Sequence, residues 1–290
     1  MEVAFTSVPE VMKEIVIAEL AEIGFDSFNE EEYKLLAYIP EEFFVEPAIQ
    51  KVILKYRELK EVFWSVIPLP DKNWNELWES QYDPVFIAGK CYIRAPFHES
   101  FEDYKKAPAH KLTSSPIHQF TSCYDIIIEP KMSFGTAHHE TTALMIEWLL
   151  EEDVSGKTVL DMGCGTGVLA ILALQLGAAE VFAIDNDKRA FENTTENVHK
   201  NKARDIHVIH GDVNEIPEKK VNLLLANINK NVLLEQIPVY ANALYEGGTL
   251  LLSGFYSEDL PVIREKGEEQ HLKFAGVRKK NNWMVVKFNR

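Results

Sequence analysis

The chain predicts an α/β protein in two parts, a parallel sheet covered by helices on both faces and, ahead of it, a small α+β unit of ferredoxin-like pattern. From residue 124 onward, short β-branched runs alternate with helical stretches, the rhythm of a parallel sheet. The first 67 residues instead read β-α-β-β-α-β. Between the two, Pro68 and Pro70 interrupt the chain.

The first strand is expected at residues 3–8, and Pro9 opens a helix in which Val11, Ile15, Ala18 and Ile23 recur at helical spacing until Gly24. Residues 25–28 and 33–39 flank an acidic turn, as hairpin strands do. A second helix at 49–56 and a strand at 62–67 close the unit. Residues 73–82 read as a short aromatic helix, which gives domains at 1–68 and 85–290 joined by a linker at 69–84. Brief strands at 85–88 and 91–95 precede a polar stretch, 98–119, whose lack of periodicity predicts a loop or insertion. The sheet strands are expected at 158–162, 181–184, 207–210, 221–226 and 249–253. An antiparallel hairpin at 272–277 and 284–288, turning at Lys279 to Asn282, finishes the fold.

Charge narrows the partners. Thirty basic against 45 acidic residues leave a net charge of -15, a field that repels nucleic-acid backbones and attracts basic proteins. Cys91, Cys123 and Cys164 form no C-x-x-C pair, so neither a disulfide framework nor a zinc site is expected, and a reducing compartment is. The N-terminus lacks a basic segment followed by an apolar core, and no apolar run approaches the ~18 residues of a membrane span. A soluble, cytosolic, monomeric chain is the expectation.

The chemistry concentrates in four places. Residues 158–167, T-V-L-D-M-G-C-G-T-G, run from strand through glycine turn into an apolar helix, so Gly163 and Gly165 let backbone approach a nucleotide-like ligand. A dinucleotide fingerprint would place its last glycine where Val168 stands; Gly167 comes one residue early, which argues against a nicotinamide oxidoreductase. Asp161, at the strand end, would repel a pyrophosphate but suits a ligand carrying positive charge. Asp185 ends the next strand 22 residues after Gly163, the separation at which an acid meets ribose hydroxyls, while Asp187 reads as a helix cap. Asp212 follows the third strand and is placed either to meet an adenine amine or to cap a turn. Asn227 ends the fourth strand at the carboxyl edge, where such sheets bind ligands, or simply terminates it.

The run S-F-G-T-A-H-H-E-T-T, residues 133–142, leads into a helix that Thr141 or Thr142 is placed to cap. Adjacent His138 and His139 diverge on most backbones, and the second histidine of a zinc helix is missing, so no metal is expected.

Taken together, F-G-T-A-H-H-E-T-T, D-M-G-C-G-T-G and L-L-L-A-N-I resemble the ribosomal protein L-eleven methyltransferases, of PrmA type, over essentially the whole chain. That resemblance implies a class I methyltransferase fold, a Rossmann-like sheet of seven strands, with S-adenosyl-L-methionine as cofactor. It implies cofactor contacts from Thr142, Gly163, Asp185 and Asn227, or, for Asn227, a catalytic place between cofactor and substrate. It further implies that the small N-terminal domain captures a large-subunit ribosomal protein, whose amino groups, on lysine side chains or the N-terminus, accept the methyl. Two departures stand out: Ala137 where the family usually has glycine, and the long stretch 98–119. Methylation of RNA or of a small metabolite is the rival activity, against which stand the acidic charge and the absence of N-P-P-Y, since Ile228 and Asn229 follow Asn227. A ribosome-associated binding module without catalysis is the non-enzymatic rival.

Overall fold

A computed structural model describes residues 1–9, 12–25, 27–31, 34–40, 43–60, 62–67, 83–106, 123–131, 135 and 137–290. Its contacts divide the chain into two compact units, Met1–Trp78 and Glu79–Arg290.

In the first unit β1 (Glu2–Thr6), α1 (Lys13–Glu22), β2 (Ser27–Glu31), β3 (Lys34–Tyr38), α2 (Glu46–Lys55) and β4 (Phe63–Ile67) follow one another. The strands lie in the order β2-β3-β1-β4, each neighbouring pair antiparallel, which is the split β-α-β arrangement the element order predicts. Side chains alternate across a strand, so Val3, Phe5, Leu35 and Ala37 share one face and form a core with Val16 and Leu20 of α1 and Ile49 and Ile53 of α2. The strand expected at residues 25–28 begins only at Ser27. Gly24, at φ 100°, closes α1: its N–H reaches the Ala21 carbonyl and the Phe25 N–H reaches that of Leu20, a Schellman ending that buries Phe25 as part of the helix stop. The linker helix expected at 73–82 lies outside the described residues.

The second unit opens with a separate three-stranded sheet, β5 (Val85–Ile87), β6 (Cys91–Arg94) and β7 (Tyr124–Ile127). The stretch read as a loop from residue 98 contains a helix, α3 (Phe101–Lys106), started by Ser100, whose hydroxyl accepts the Asp103 N–H at 3.2 Å. That S-x-x-D spacing is a helix-start signal the polar composition concealed. Residues 107–119 of the same stretch lie outside the described set.

The main sheet comprises β8 (Thr158–Met162), β9 (Glu180–Asp185), β10 (Ile206–His210), β11 (Val221–Asn227), β12 (Leu244–Tyr256), β13 (Lys273–Lys280) and β14 (Trp283–Asn289). Its order is β10-β9-β8-β11-β12-β14-β13, parallel except that β14 runs against both neighbours. The seven strands agree with the resemblance, and the antiparallel hairpin at the end with the residue pattern. Helices α4 (Glu140–Leu149), α5 (Val168–Gln175), α6 (Lys188–Lys200), α7 (Lys230–Ala243) and α8 (Leu260–Glu269) cover it.

Period-two alternation decides where the site falls. Val159, Ala183 and Leu225 pack in the core with α4 and α5, while Leu160, Ile184 and Leu224 pack in the opposite core with Leu233, Ile237 and Tyr240 of α7. Burial on both faces explains why these strands read as unbroken apolar runs. Asp161, Asp185 and Asn227 have the parity of Val159, Ala183 and Leu225. They therefore come out on the α4 and α5 side, at the carboxyl ends of three neighbouring strands.

Candidate active site

The glycine turn between β8 and α5 carries Gly163, Gly165 and Gly167 at φ 68°, 58° and 77°. Amides at the start of the turn are already paired within the protein. The N–H groups of Gly163 and Cys164 donate to the Ile184 carbonyl at 2.8 and 3.2 Å, and that of Gly165 donates to Asp185 Oδ2 at 2.9 Å. With those donors spent on the end of β9, the turn offers little to a phosphate, which agrees with the argument from spacing. From behind, Thr194 and Asn197 of α6 donate to the carbonyls of Gly165 and Thr166 at 2.8 and 2.9 Å. Thr166 in turn donates to the Gly135 carbonyl at 2.7 Å, tying the F-G-T-A run to the turn. Within that run Ala137 is buried at φ 68°, a left-handed conformation that costs a residue with a Cβ about 1 kcal/mol and that a glycine would adopt without strain.

A cavity of about 530 Å³ opens beside this turn, within the range of small-molecule sites. Gly163, Gly165, Asp185 and Asn227 lie on its wall. Asp185 Oδ1 accepts the Asp187 N–H at 2.9 Å; each carboxylate oxygen thus holds one backbone donor and keeps capacity for a second, enough for a diol. Asp187 caps α6 through the Arg189 N–H at 2.9 Å, as its position after the strand predicts. Asn227 Nδ2 donates to Thr142 Oγ1 at 3.4 Å, while its Oδ1 is buried with no partner among the described residues. A buried amide oxygen left unpaired costs about 1–3 kcal/mol.

Two predicted contacts sit elsewhere. Thr142 lies behind Asn227 rather than on the wall, because helical spacing turns it inward while Thr141 faces the cavity. His139, not either threonine, caps α4, its Nδ1 accepting the Thr141 N–H at 3.3 Å. Asp161 is likewise off the wall; its Oδ2 accepts the Ala170 N–H of α5 at 3.2 Å. Asp212 lines a second, adjoining cavity of about 150 Å³ that shares Gly163, Asp185 and Ile228 with the first, and its Oδ1 also takes the Asn214 N–H at 2.8 Å. Asp212 thus caps the turn and lines this cavity at once.

Asp161 is about 1 % exposed, and burial, reinforced by the charge of Asp185 and opposed by the Ala170 N–H, pushes its carboxyl up to about 7. A carboxyl raised in the folded state contributes stability below its unfolded value near 4 and loses it as pH rises to about 7, a loss of about 4 kcal/mol. Urea unfolding of the ligand-free protein should therefore weaken from pH 4 to pH 8 more in wild type than in Asp161→Asn. Parallel pH curves for the two proteins would remove this role.

The wall also includes Gly254 and Trp283, which no sequence motif marks, and His139, which the sequence offers only as a metal ligand. Trp283 meets His139 edge-on at 4.8 Å and lies against Tyr256 at 4.2 Å. Gly254 had a signal, a glycine inside a strand, which marks a bulge or a close backbone approach. It has both: the β12 to β14 register shifts there, and at φ 95° an added Cβ would stand 2.1 Å from the Ile228 carbonyl oxygen. Gly254→Ala should destabilise the fold by about 2 kcal/mol or more, read as a lowered thermal midpoint. An unchanged midpoint would show that the two backbones separate freely.

Among the described residues no helix is long and apolar enough to cross a membrane. The family described as "Ribosomal protein L11 methyltransferase (PrmA)" matches residues 3–290. A ribosomal protein L11 methyltransferase of Porphyromonas gingivalis is 43% identical over 96% of this chain and 91% of its own length. One from Phocaeicola vulgatus is 40% identical over 99% and 98%. The crystal structure of a ribosomal protein L11 methylase from Lactobacillus delbrueckii superposes with a TM-score of 0.61 at 26% identity, covering 72% of this chain and 99% of that one. Extending from the first strand to the final hairpin, these matches place the chain in the ribosomal protein L11 methyltransferase family, enzymes dependent on S-adenosylmethionine.

Proposed function

We propose that the chain methylates amino groups of ribosomal protein L11, on lysine side chains, the N-terminal α-amine or both, with Asn227 as the residue that aims the acceptor nitrogen. The observation that carries this is Asn227 on the cavity wall, with its side-chain oxygen buried and without a partner among the described residues. The residues there suit S-adenosylmethionine: Asp185 for the ribose hydroxyls, Asp212 for the adenine amine, and Gly163 and Gly165 for close approach of backbone. Asp161 and Thr142 act from behind, holding α5 and Asn227. When bound, the cofactor supplies a sulfonium methyl that an amine takes by in-line displacement.

Positioning of that kind supplies about 7–11 kcal/mol without a covalent nucleophile. The amine must arrive neutral. At pH 7 that costs a lysine about 4.6 kcal/mol and an α-amine about 1, and desolvation in the cavity lowers the cost. Asn227 Oδ1 accepts a hydrogen bond from the nitrogen and turns its lone pair toward the methyl, with no dedicated base. Such an acceptor also favours an amine, which has N–H to donate, over a carboxylate or carbonyl oxygen.

The first unit is assigned to capture of the ribosomal protein. Phe63 and Ile67 of the edge strand β4 are 73% and 48% exposed, and with a chain charge of -15 they favour a basic partner with an apolar patch. Three free cysteines support a reducing, cytosolic setting. The test supplies labelled S-adenosylmethionine to separated ribosomal proteins and, in parallel, to ribosomal RNA. Label on amines of L11 alone is expected; label in RNA would favour the rival activity.

A further inference from the structure

The smaller cavity adjoining the main one contains a polar residue that no motif announced. Its apolar wall is Met162, Ile184, Ile228 and Val232, and its polar side chains are Asp185, Asn186, Asp212, Asn229 and Gln236. Gln236 lies on α7, half-buried, one turn before Tyr240. Tyr240 is fully buried in the apolar core beneath, and its hydroxyl donates to Gln236 Oε1. A hydroxyl in that setting must place its proton on an acceptor, and Gln236 is the acceptor it has. The latch fixes which end of the amide is committed: the oxygen faces Tyr240, and the NH2 remains as the group that Gln236 presents.

Among these polar side chains, Gln236 supplies a donor and the Asp212 carboxylate an acceptor on two different elements, while Asp185 holds the glycine turn and Asn229 caps α7. Asp212 already takes the Asn214 N–H and side-chain amide at 2.8 Å each, which fixes the carboxylate without exhausting its lone pairs. A 6-aminopurine presents the complement, an amino donor beside a ring-nitrogen acceptor. A 6-oxopurine presents the reverse, an oxygen acceptor beside a ring N–H. The apolar residues suit a flat base between them.

We propose that Gln236, latched by Tyr240, reads the purine ring of the cofactor alongside Asp212 and sets the preference for a 6-amino over a 6-oxo base. This rests on S-adenosylmethionine as the occupant. Gln236 is a binding residue, since it touches the base; Tyr240 is a positioning residue, since it acts only by orienting the amide.

Calorimetric titration of the full chain with S-adenosylhomocysteine and S-inosylhomocysteine tests this without turnover. Sites built to hydrogen-bond a polar group reject its mismatch strongly, so wild type should prefer the adenosyl compound by about 100-fold or more. Gln236→Glu keeps an oxygen for the Tyr240 hydroxyl but replaces the donor by an acceptor, and should narrow that preference by about 10-fold or more. The paired variant Gln236→Leu with Tyr240→Phe removes latch and donor together, leaves no buried hydroxyl without a partner, and should also narrow it about 10-fold. Tyr240→Phe alone frees the amide and should narrow it less. Wild-type preference in both Gln236→Glu and the paired variant, with wild-type melting temperatures, overturns the proposal. Absence of heat from wild type with the adenosyl compound instead defeats the cofactor's placement, and this proposal with it.

Discussion

Asp185→Ala is expected to weaken S-adenosylmethionine binding by about 100-fold or more, because two charge-assisted bonds to a diol are worth about 1.5–3 kcal/mol each. The loss has a second source in the structure. Asp185 also holds the N–H groups of Gly165 and Asp187, so its removal leaves the glycine turn without one of the contacts that set its shape. Asp185→Asn separates the two effects: it keeps an oxygen for one backbone donor and should retain more of the turn while still losing most of the affinity. Calorimetry giving wild-type affinity for Asp185→Ala would refute the ribose role.

For Asn227→Ala the expected loss lies in turnover instead, about 10²–10³-fold in kcat, the range seen when one positioned hydrogen-bonding group is removed from a transition state. Cofactor affinity should change far less, because the group removed is one that pairs with the arriving amine. Its position argues the same way. The side chain is held by Thr142 through Nδ2, leaving Oδ1 as the free end. Thr142→Val would let the amide turn and should give a partial version of the same defect. Equal losses in cofactor affinity and turnover for Asn227→Ala would show a general structural role.

Where periodicity and punctuation act over a short range, the sequence was a sufficient guide. The strand Thr158–Met162 was placed without error at either end, since a turn glycine bounds it on one side and an apolar run fills it. The order of the first sheet followed from β-α-β-β-α-β alone. Asp187 was recognisable as a cap because it follows a strand and opens a polar helix. Helix rotation was less visible. Thr141 and Thr142 are adjacent and chemically alike, and only the packing of α4 decides that the first faces the cavity while the second supports Asn227. His139 was weighed as a metal ligand and not as a cap, since an imidazole nitrogen accepting a backbone N–H leaves no pattern in the sequence. Trp283, Gly254 and Gln236 come to the wall from β14, β12 and α7. A local motif cannot register groups assembled over such separations, and β12 itself proved far longer than the predicted 249–253.

A division of labour lies at the centre of this account: one carboxylate holds the cofactor and one amide aims the acceptor. Single-turnover methyl transfer to L11, measured at rising cofactor concentration in both alanine variants, tests it most directly. Asp185→Ala should climb toward the wild-type rate as cofactor saturates, while Asn227→Ala should stay slow at every concentration. An Asn227→Ala enzyme that reaches the wild-type rate, or an Asp185→Ala enzyme already saturated at the wild-type concentration, would contradict it.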